Sequence, residues 1–111
     1  MKSYTDLEQS KKLAEILPIE SADMFYYKDA VTKEDNPRVM DYSQVPKNKS
    51  MYYTPCWSFA ALFKVLPSST LDSSNDHYYR LHCMERFTEW YDNPVDACVE
   101  MIIKLNELNL L

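Results

Sequence analysis

The side chains that could bind a metal ion are few and poorly spaced for that task. They are Cys56, Cys83, Cys98, His77 and His82. None of them forms the C-x-x-C or H-x-x-x-H spacing with which structural zinc sites hold their ion. His82 and Cys83 are adjacent in a predicted strand, so they point to opposite faces of a sheet. We therefore expect no metal ion and no cofactor.

Cys56 is the strongest candidate for nucleophilic chemistry. Thr54 and Pro55 are typical of a helix N-cap and first turn, which would place Cys56 in the first turn of a helix. The helix dipole lowers the pKa of a thiol there, and the thiolate is the reactive form. A base would have to come from His77 or His82. A packing role is the simpler interpretation, and a thiol-dependent enzyme using Cys56 is kept as an alternative.

The sequence predicts a β-hairpin, with one strand at residues 77–84 and the other at 87–91. If the hairpin is symmetric about Glu85 and Arg86, the opposite pairs are His82 with Glu89, Arg80 with Tyr91, and Leu81 with Trp90. A loop of three or five residues would change this register. Leu81, Cys83 and Trp90 are expected to face the core, because exposing them would be costly.

Aromatic residues are abundant, with nine Tyr, four Phe and two Trp. Exposed tyrosines beside charged groups are enriched at protein interfaces. The candidate binding surface combines the outward face of the hairpin with the segment before the second helix. Its residues are Tyr78, Arg80, His82, Glu89, Tyr91, Tyr52, Tyr53 and Trp57. The alternative is that these aromatic residues only cover sheet faces within a small core.

Three helices and three strands are predicted to position these residues. The first helix covers 5–17, with Thr5 as cap, Glu8 completing a capping box and Leu7, Ala14 and Leu17 on one stripe. A strand at 22–28 follows. Residues 29–50 are expected to form a long surface loop, in which 39–42 could form a brief strand.

The second half of the chain contains two further helices around the hairpin. The second helix is predicted at 55–66, and residues 68–76 are expected to be a polar connector. Asn93 and Pro94 begin the last helix, whose buried face would carry Val95, Cys98, Ile102 and Leu105. Glu100, Lys104 and Glu107 are expected on its exposed face. The order α-β-α-β-β-α predicts one α+β domain over 1–111, with a small, mainly antiparallel sheet of about three strands covered by helices.

Composition excludes several functions. The 111 residues include no glycine, so the phosphate loop, the dinucleotide-binding turn, the EF-hand loop and the nucleophile elbow are all absent.

The net charge is −5, and Lys11-Lys12 is the longest basic run, which argues against nucleic-acid binding. The sequence shows neither a signal-peptide core nor an apolar run that could span a membrane. With an odd cysteine count as well, we expect a cytoplasmic protein with reduced thiols and no membrane partner.

Three segments carry a resemblance to known proteins. They are LAEILP at 13–18 with ESADM at 20–24, PCWSFAAL at 55–62, and DNPVDACVEM at 92–101. Together they resemble a family of small uncharacterised proteins encoded by gut bacteria and by their prophages or mobile elements. The resemblance implies a cytoplasmic accessory protein and assigns no functional residue.

The function that the sequence favours is therefore a small non-enzymatic binding module. Its partner is expected to be a protein, with a homodimer as the simplest form. Two alternatives remain at this point, namely the thiol enzyme at Cys56 and an acidic inhibitor that mimics nucleic acid. The mimic is less favoured because a net charge of −5 is modest for that role.

Overall fold

The computed structural model describes residues 2–27, 37–39 and 53–111. These residues form three α-helices and two three-stranded antiparallel sheets. The elements are α1 (Leu7–Ala14), β1 (Met24–Tyr27), β2 (Pro37–Val39), β3 (Tyr53–Cys56), α2 (Phe59–Val65), β4 (Ser69–Ser73), β5 (Tyr79–Cys83), β6 (Arg86–Phe87) and α3 (Pro94–Glu107). A single 3₁₀ turn at Ile19–Ser21 joins α1 to β1. The predicted α+β class is confirmed, although the strands are divided between two sheets, ordered β2-β1-β3 and β4-β5-β6.

The cap of α1 is one residue later than predicted. Asp6 accepts a hydrogen bond from the backbone of Gln9, whose side chain returns one to the Asp6 backbone, which forms a capping box. Thr5 is instead fully buried. The helix ends at Ala14, which is exposed and does not lie on the predicted apolar stripe.

Strand β3 occupies the segment where the second helix was predicted to begin. Pro55 pairs with Phe25 of β1, and β3 has no further neighbour in the described sheet. A proline is tolerated at such an edge because its missing N–H is not needed by a second strand. The helix starts only after Ser58, whose side chain accepts from the Ala61 backbone. Cys56 therefore lies in a strand and not in a helical turn, which corrects the prediction.

Two strands lie in segments that were predicted to be loops. β2 pairs with β1 inside the expected loop at 29–50, whose other residues lie outside the described ones. Of the brief strand considered at 39–42, only Val39 is described, as the last residue of β2. β4 pairs with all five residues of β5 where a polar connector was expected. An edge strand whose outer face is exposed to solvent needs few apolar residues. In β4, Leu71 packs partly against the core. Polar composition therefore concealed β4.

The β5–β6 hairpin has a different register from the predicted one. Cys83 pairs with Arg86 and His82 with Phe87, which leaves a two-residue turn at Met84-Glu85. Both turn residues have positive φ, 51° and 65°, as a type I′ turn requires. The three predicted pairs, His82 with Glu89, Arg80 with Tyr91 and Leu81 with Trp90, are therefore wrong.

Helix α3 matches its prediction most closely. Asn93 accepts a hydrogen bond from the Asp96 backbone, and Pro94 is the first helical residue. The predicted buried residues Val95, Cys98, Ile102 and Leu105 are all fully buried. Glu107 is exposed as expected, but Glu100 and Lys104 are only half-exposed.

The main core lies between α2, α3 and the inner face of the β4–β5–β6 sheet. Trp57, Leu62, Leu81, Met101 and Ile102 are among its fully buried members. Leu13 and Leu17 join it from the end of α1. None of the helices in the described ranges is long and apolar enough to cross a bilayer.

Candidate interaction surface

The outer face of the β4–β5–β6 sheet presents a row of planar side chains. Leu81 and Cys83 of β5 point into the core, so the alternating residues Tyr78, Arg80 and His82 point outward. Phe87 lies opposite His82 on β6, and Trp90 follows shortly after that strand. We call Tyr78, Arg80, His82, Phe87 and Trp90 the arginine–aromatic surface.

Arg80 lies between two aromatic rings. The central carbon of its guanidinium group is 4.2 Å from the centre of the Phe87 ring and 4.7 Å from that of Trp90. His82 stacks on Phe87 with ring centres 4.3 Å apart and an interplanar angle of 7°. Arg80 Nε also donates to Asp72 Oδ2 of β4 at 3.2 Å. Together, the two rings and the Asp72 carboxylate hold the guanidinium group of Arg80 in one orientation.

A β-bulge turns Trp90 outward. Between the paired residues His82–Phe87 and Tyr79–Tyr91 there are two residues on β5 and three on the other chain segment. One extra residue reverses the facing of the residues after it. Trp90 therefore points to solvent and Tyr91 points toward α3, which is the reverse of the prediction for both residues.

Thr88 stabilises the bulge. Its backbone N–H donates to the Leu81 carbonyl at 3.0 Å, and its Oγ1 accepts from the Leu81 N–H at 2.8 Å. The hydroxyl thus replaces a backbone carbonyl as acceptor, and it donates in turn to the Glu89 carbonyl. Because Thr88 is buried, water cannot replace its hydroxyl group as the acceptor. Removal of the hydroxyl would therefore leave the Leu81 N–H without a hydrogen bond.

The rings of this surface are unusually exposed for their size. Tyr78, Phe87 and Trp90 retain 47%, 46% and 44% of their accessible area. Large apolar rings that share one face and surround an ordered arginine are typical of an interaction site.

The structure brings together only part of the predicted binding surface. Tyr78, Arg80 and His82 belong to it, but Glu89 is exposed in the bulge, where its backbone N–H faces Glu100. Trp57 is fully buried and its Nε1 donates to Ser21 Oγ, so it cannot extend a surface. Tyr53 lies in β3 of the other sheet, and Tyr52 lies outside the described residues.

Tyr91 belongs to the opposite side of the sheet. Its hydroxyl donates to Glu100 Oε1 of α3 at 2.9 Å, and its ring packs against the core. Burial, together with the bond to Glu100, raises the pKa of Tyr91 to about 12. Tyr91 is thus a structural link between the sheet and α3.

Sequence reasoning missed Phe87 and Trp90 as surface residues. Phe87 shares the outward face that the predicted register assigns to Glu89 and Tyr91, but it was not included in the candidate surface, and its pairing with His82 keeps it on that face. Trp90 faces outward because of the bulge, which the alternation of side chains in the sequence does not indicate.

Cys56 has the surroundings of a packing residue. It is fully buried, its Sγ lies 3.4 Å from the Thr5 carbonyl and 3.5 Å from Thr5 Oγ1, and burial raises the pKa of its thiol. His82 is engaged by Phe87 on the outer face of the other sheet. Within the part of the chain that the structure describes, neither His77 nor His82 is hydrogen-bonded to Cys56. A neutral, buried thiol in such surroundings is not an activated nucleophile. The same holds for Cys98, where burial raises the pKa to about 12.

A shallow cleft of about 420 Å³ between the chain start and α3 is polar but internally paired. Lys2 Nζ lies 3.0 Å from Asp6 Oδ2 and 2.8 Å from Asp96 Oδ1. Gln9 Nε2 donates to the same Asp96 oxygen at 2.8 Å. These contacts fasten the first residues to α3. Over the described ranges, no group of three or more His, Cys, Asp or Glu side chains is arranged to hold a metal ion.

Comparisons of the chain with protein-family models, with curated proteins and with solved structures gave no match.

Proposed function

We propose that this protein is a non-enzymatic interaction module that binds a protein partner through the arginine–aromatic surface. The observation that carries the proposal is the exposure of Phe87 and Trp90 at 46% and 44% while both rings are held against Arg80. Exposing such rings costs free energy in an isolated chain, and a partner that covers them recovers it. Trp, Tyr and Arg are also the residues that contribute most to binding energy at interfaces.

The surface is ordered before any partner arrives. Arg80 is held by Asp72, Phe87 and Trp90, and His82 is held by Phe87. Side chains that are already fixed lose little conformational entropy on binding, which improves affinity. A surface of this kind suits recognition better than catalysis.

The homodimer expected from the sequence is one form of this proposal. Two copies could bury the same surface against each other around a two-fold axis. We place the protein in the cytoplasm, where its three buried thiols would remain reduced. The resemblance to accessory proteins of gut bacteria and their mobile elements suggests a partner encoded by the same host or element.

The test uses two exposed rings and a matched control. Tyr78→Ala and Phe87→Ala each remove a ring from the arginine–aromatic surface, and Leu108→Ala removes an equally exposed apolar side chain after α3 (47%). Self-association is measured by sedimentation velocity over a range of concentrations. Partners are captured from an extract of the cells that encode the protein, and are identified by mass spectrometry.

We expect both ring variants to lose the association while keeping the wild-type melting temperature. Leu108→Ala is expected to retain both. Association that survives both ring substitutions would contradict the proposal, and so would a large fall in melting temperature without loss of a partner.

A further inference from the structure

We infer that a pocket at the tip of the β4–β5 hairpin binds the guanidinium group of an arginine side chain on the partner. Ser74, Asp76, Tyr78 and Trp90 line this pocket, which has a volume of about 340 Å³. The inference rests on the proposed interaction function and states the chemistry that the partner must present.

Two aromatic walls make the pocket attractive to a cation. Tyr78 and Trp90 are both close to half exposed, and the faces of such rings attract positive charge. Trp90 already holds one guanidinium group, that of Arg80, at 4.7 Å. Arg80 does not line the pocket, so its guanidinium group leaves the pocket unfilled. A second guanidinium group from outside can enter the pocket beside the same indole ring.

A carboxylate completes the site. Asp76 is exposed, and no lysine, arginine or histidine nitrogen of the described residues lies within 4.0 Å of it. Arg80, the basic side chain of the neighbouring strand, is engaged by Asp72. The planar fork of an arginine matches a carboxylate with two hydrogen bonds and also stacks on aromatic faces. Asp76 with Tyr78 and Trp90 offers both contacts at once.

The walls of the pocket are fixed by backbone hydrogen bonds. Ser74 N donates to the Tyr78 carbonyl at 2.9 Å, and Tyr78 N donates to Ser74 Oγ at 3.1 Å. His77, with φ at 63°, closes the loop with a bond from its N–H to the Ser74 carbonyl. On the other side of the pocket, Trp90 is held in place by the two backbone hydrogen bonds between Tyr79 and Tyr91.

Charge favours a distinct partner over a second copy. The chain carries a net charge of −5, and Asp76 is the charged side chain among the residues that line the pocket. A second copy packed face to face would bring the same negative net charge and a second Asp76, whereas a basic partner is attracted. We therefore assign the pocket to a partner protein that presents an exposed arginine.

The probes are two capped tripeptides, Ala-Arg-Ala and Ala-citrulline-Ala, in which a neutral urea group of similar size and planarity replaces the charged guanidinium group. Each is titrated into the ¹⁵N-labelled full chain, and the two tryptophan indole N–H signals are followed by NMR. Trp57 is buried and hydrogen-bonded to Ser21, so its signal serves as an internal reference. The same titration is run with Asp76→Asn, with Tyr78→Ala and with the control Glu85→Gln, an exposed carboxylate at the other turn.

The arginine peptide is expected to shift the Trp90 signal with a dissociation constant in the range of about 1–10 mM, and the Trp57 signal should not move. Asp76→Asn and Tyr78→Ala should each weaken binding about tenfold, while Glu85→Gln should bind like the wild type. Equal shifts with citrulline, or no shift with either peptide, would overturn the inference.

Two further outcomes separate this inference from the proposed function. If the Trp90 signal shifts with protein concentration in the absence of peptide and the arginine peptide then no longer shifts it, a second copy fills the pocket and the arginine assignment is wrong. If the peptides do not bind but Phe87→Ala still loses its partner, the interaction function stands and only the arginine pocket fails.

Discussion

Tyr79 and Tyr91 exchange two backbone hydrogen bonds, of 2.7 and 2.8 Å, one residue out of register with the β5–β6 pairing. This single offset decides which aromatic ring is available to a partner. It turns Trp90 toward solvent and places Tyr91 against Glu100 of α3. A regular hairpin of either register would have done the opposite, because side chains alternate strictly along a strand.

The first prediction concerns the hydroxyl that supports this offset. Thr88→Val should lower the free energy of unfolding by about 1–3 kcal/mol, because the buried N–H of Leu81 loses its acceptor. It should also move the indole signal of Trp90, since the bulge is no longer held. Thr88→Ser keeps the hydroxyl and should leave that signal in place. Urea unfolding and NMR measure the two effects, and equal behaviour of both variants would show that the hydroxyl is not needed.

The second prediction concerns the turn at Met84-Glu85. Both residues adopt positive φ without being glycine or asparagine, which costs about 1–2 kcal/mol per residue. The double substitution Met84→Asn with Glu85→Gly matches the demands of a type I′ turn. It should raise the free energy of unfolding by about 1–2 kcal/mol. Glu85→Ala keeps the strained conformation and should change little, so a similar gain from it would contradict the explanation.

Sequence-based prediction succeeded where several local signals indicate the same structure. Helix α3 was predicted correctly because the apolar period, the Asn93 cap and Pro94 all indicate one structure. The inward positions of Leu81 and Cys83 were also correct, since alternation depends only on the strand. The facing of Trp90 could not be predicted, because it depends on a one-residue bulge whose energy comes from a hydroxyl bond formed only in the folded sheet.

The start of α2 shows a second reason for failure. Thr54-Pro55 fits a helix N-terminus as well as an edge strand, and local preferences do not distinguish them. Pairing with β1 decides the outcome, since Thr54 pairs with Tyr26 and Pro55 with Phe25. The prediction of the candidate binding surface was wrong at Trp57 for the same reason. Trp57 directly follows β3 and is buried in the core.

The third prediction tests the packing of α3. Ile102 is fully buried within the main core, so Ile102→Ala should cost about 2–5 kcal/mol through lost burial and the remaining cavity. Chemical denaturation measures the loss. The exposed Asn106 of the same helix supplies the control, since Asn106→Ala removes no buried contact. A loss near zero for Ile102→Ala would mean that this face is not packed in solution.

The fourth prediction concerns acid stability and the link between the first residues and α3. Burial raises the pKa of Asp96, but hydrogen bonds from Lys2, Asn93 and Gln9 outweigh it and leave the pKa below the ordinary 3.8. The carboxylate therefore stabilises the fold above the ordinary pKa, and this stabilisation is lost as the pH falls through the lowered value.

Asp96→Asn should accordingly lower the free energy of unfolding by about 1 kcal/mol at pH 7. Its stability should then fall less steeply than that of the wild type below about pH 4. Urea unfolding between pH 2 and pH 7 gives both values. Glu107→Gln, an exposed carboxylate of the same helix, is the control and should follow the wild-type curve. Parallel curves for Asp96→Asn and the wild type would contradict the lowered pKa.

The fifth prediction distinguishes an interaction module from a thiol enzyme. Cys56, Cys83 and Cys98 are at most 1% exposed, and burial raises the pKa of both Cys56 and Cys98. Modification by an aromatic disulfide reagent at pH 8 should therefore be no faster than the opening of the fold, and all three thiols should react at once in 6 M guanidinium. Ile102→Ala should accelerate the native-state reaction, because it makes opening more frequent. An activated nucleophile would react in seconds and independently of that substitution, and such a fast phase, lost in Cys56→Ser, would restore the thiol enzyme that the buried geometry of Cys56 argues against.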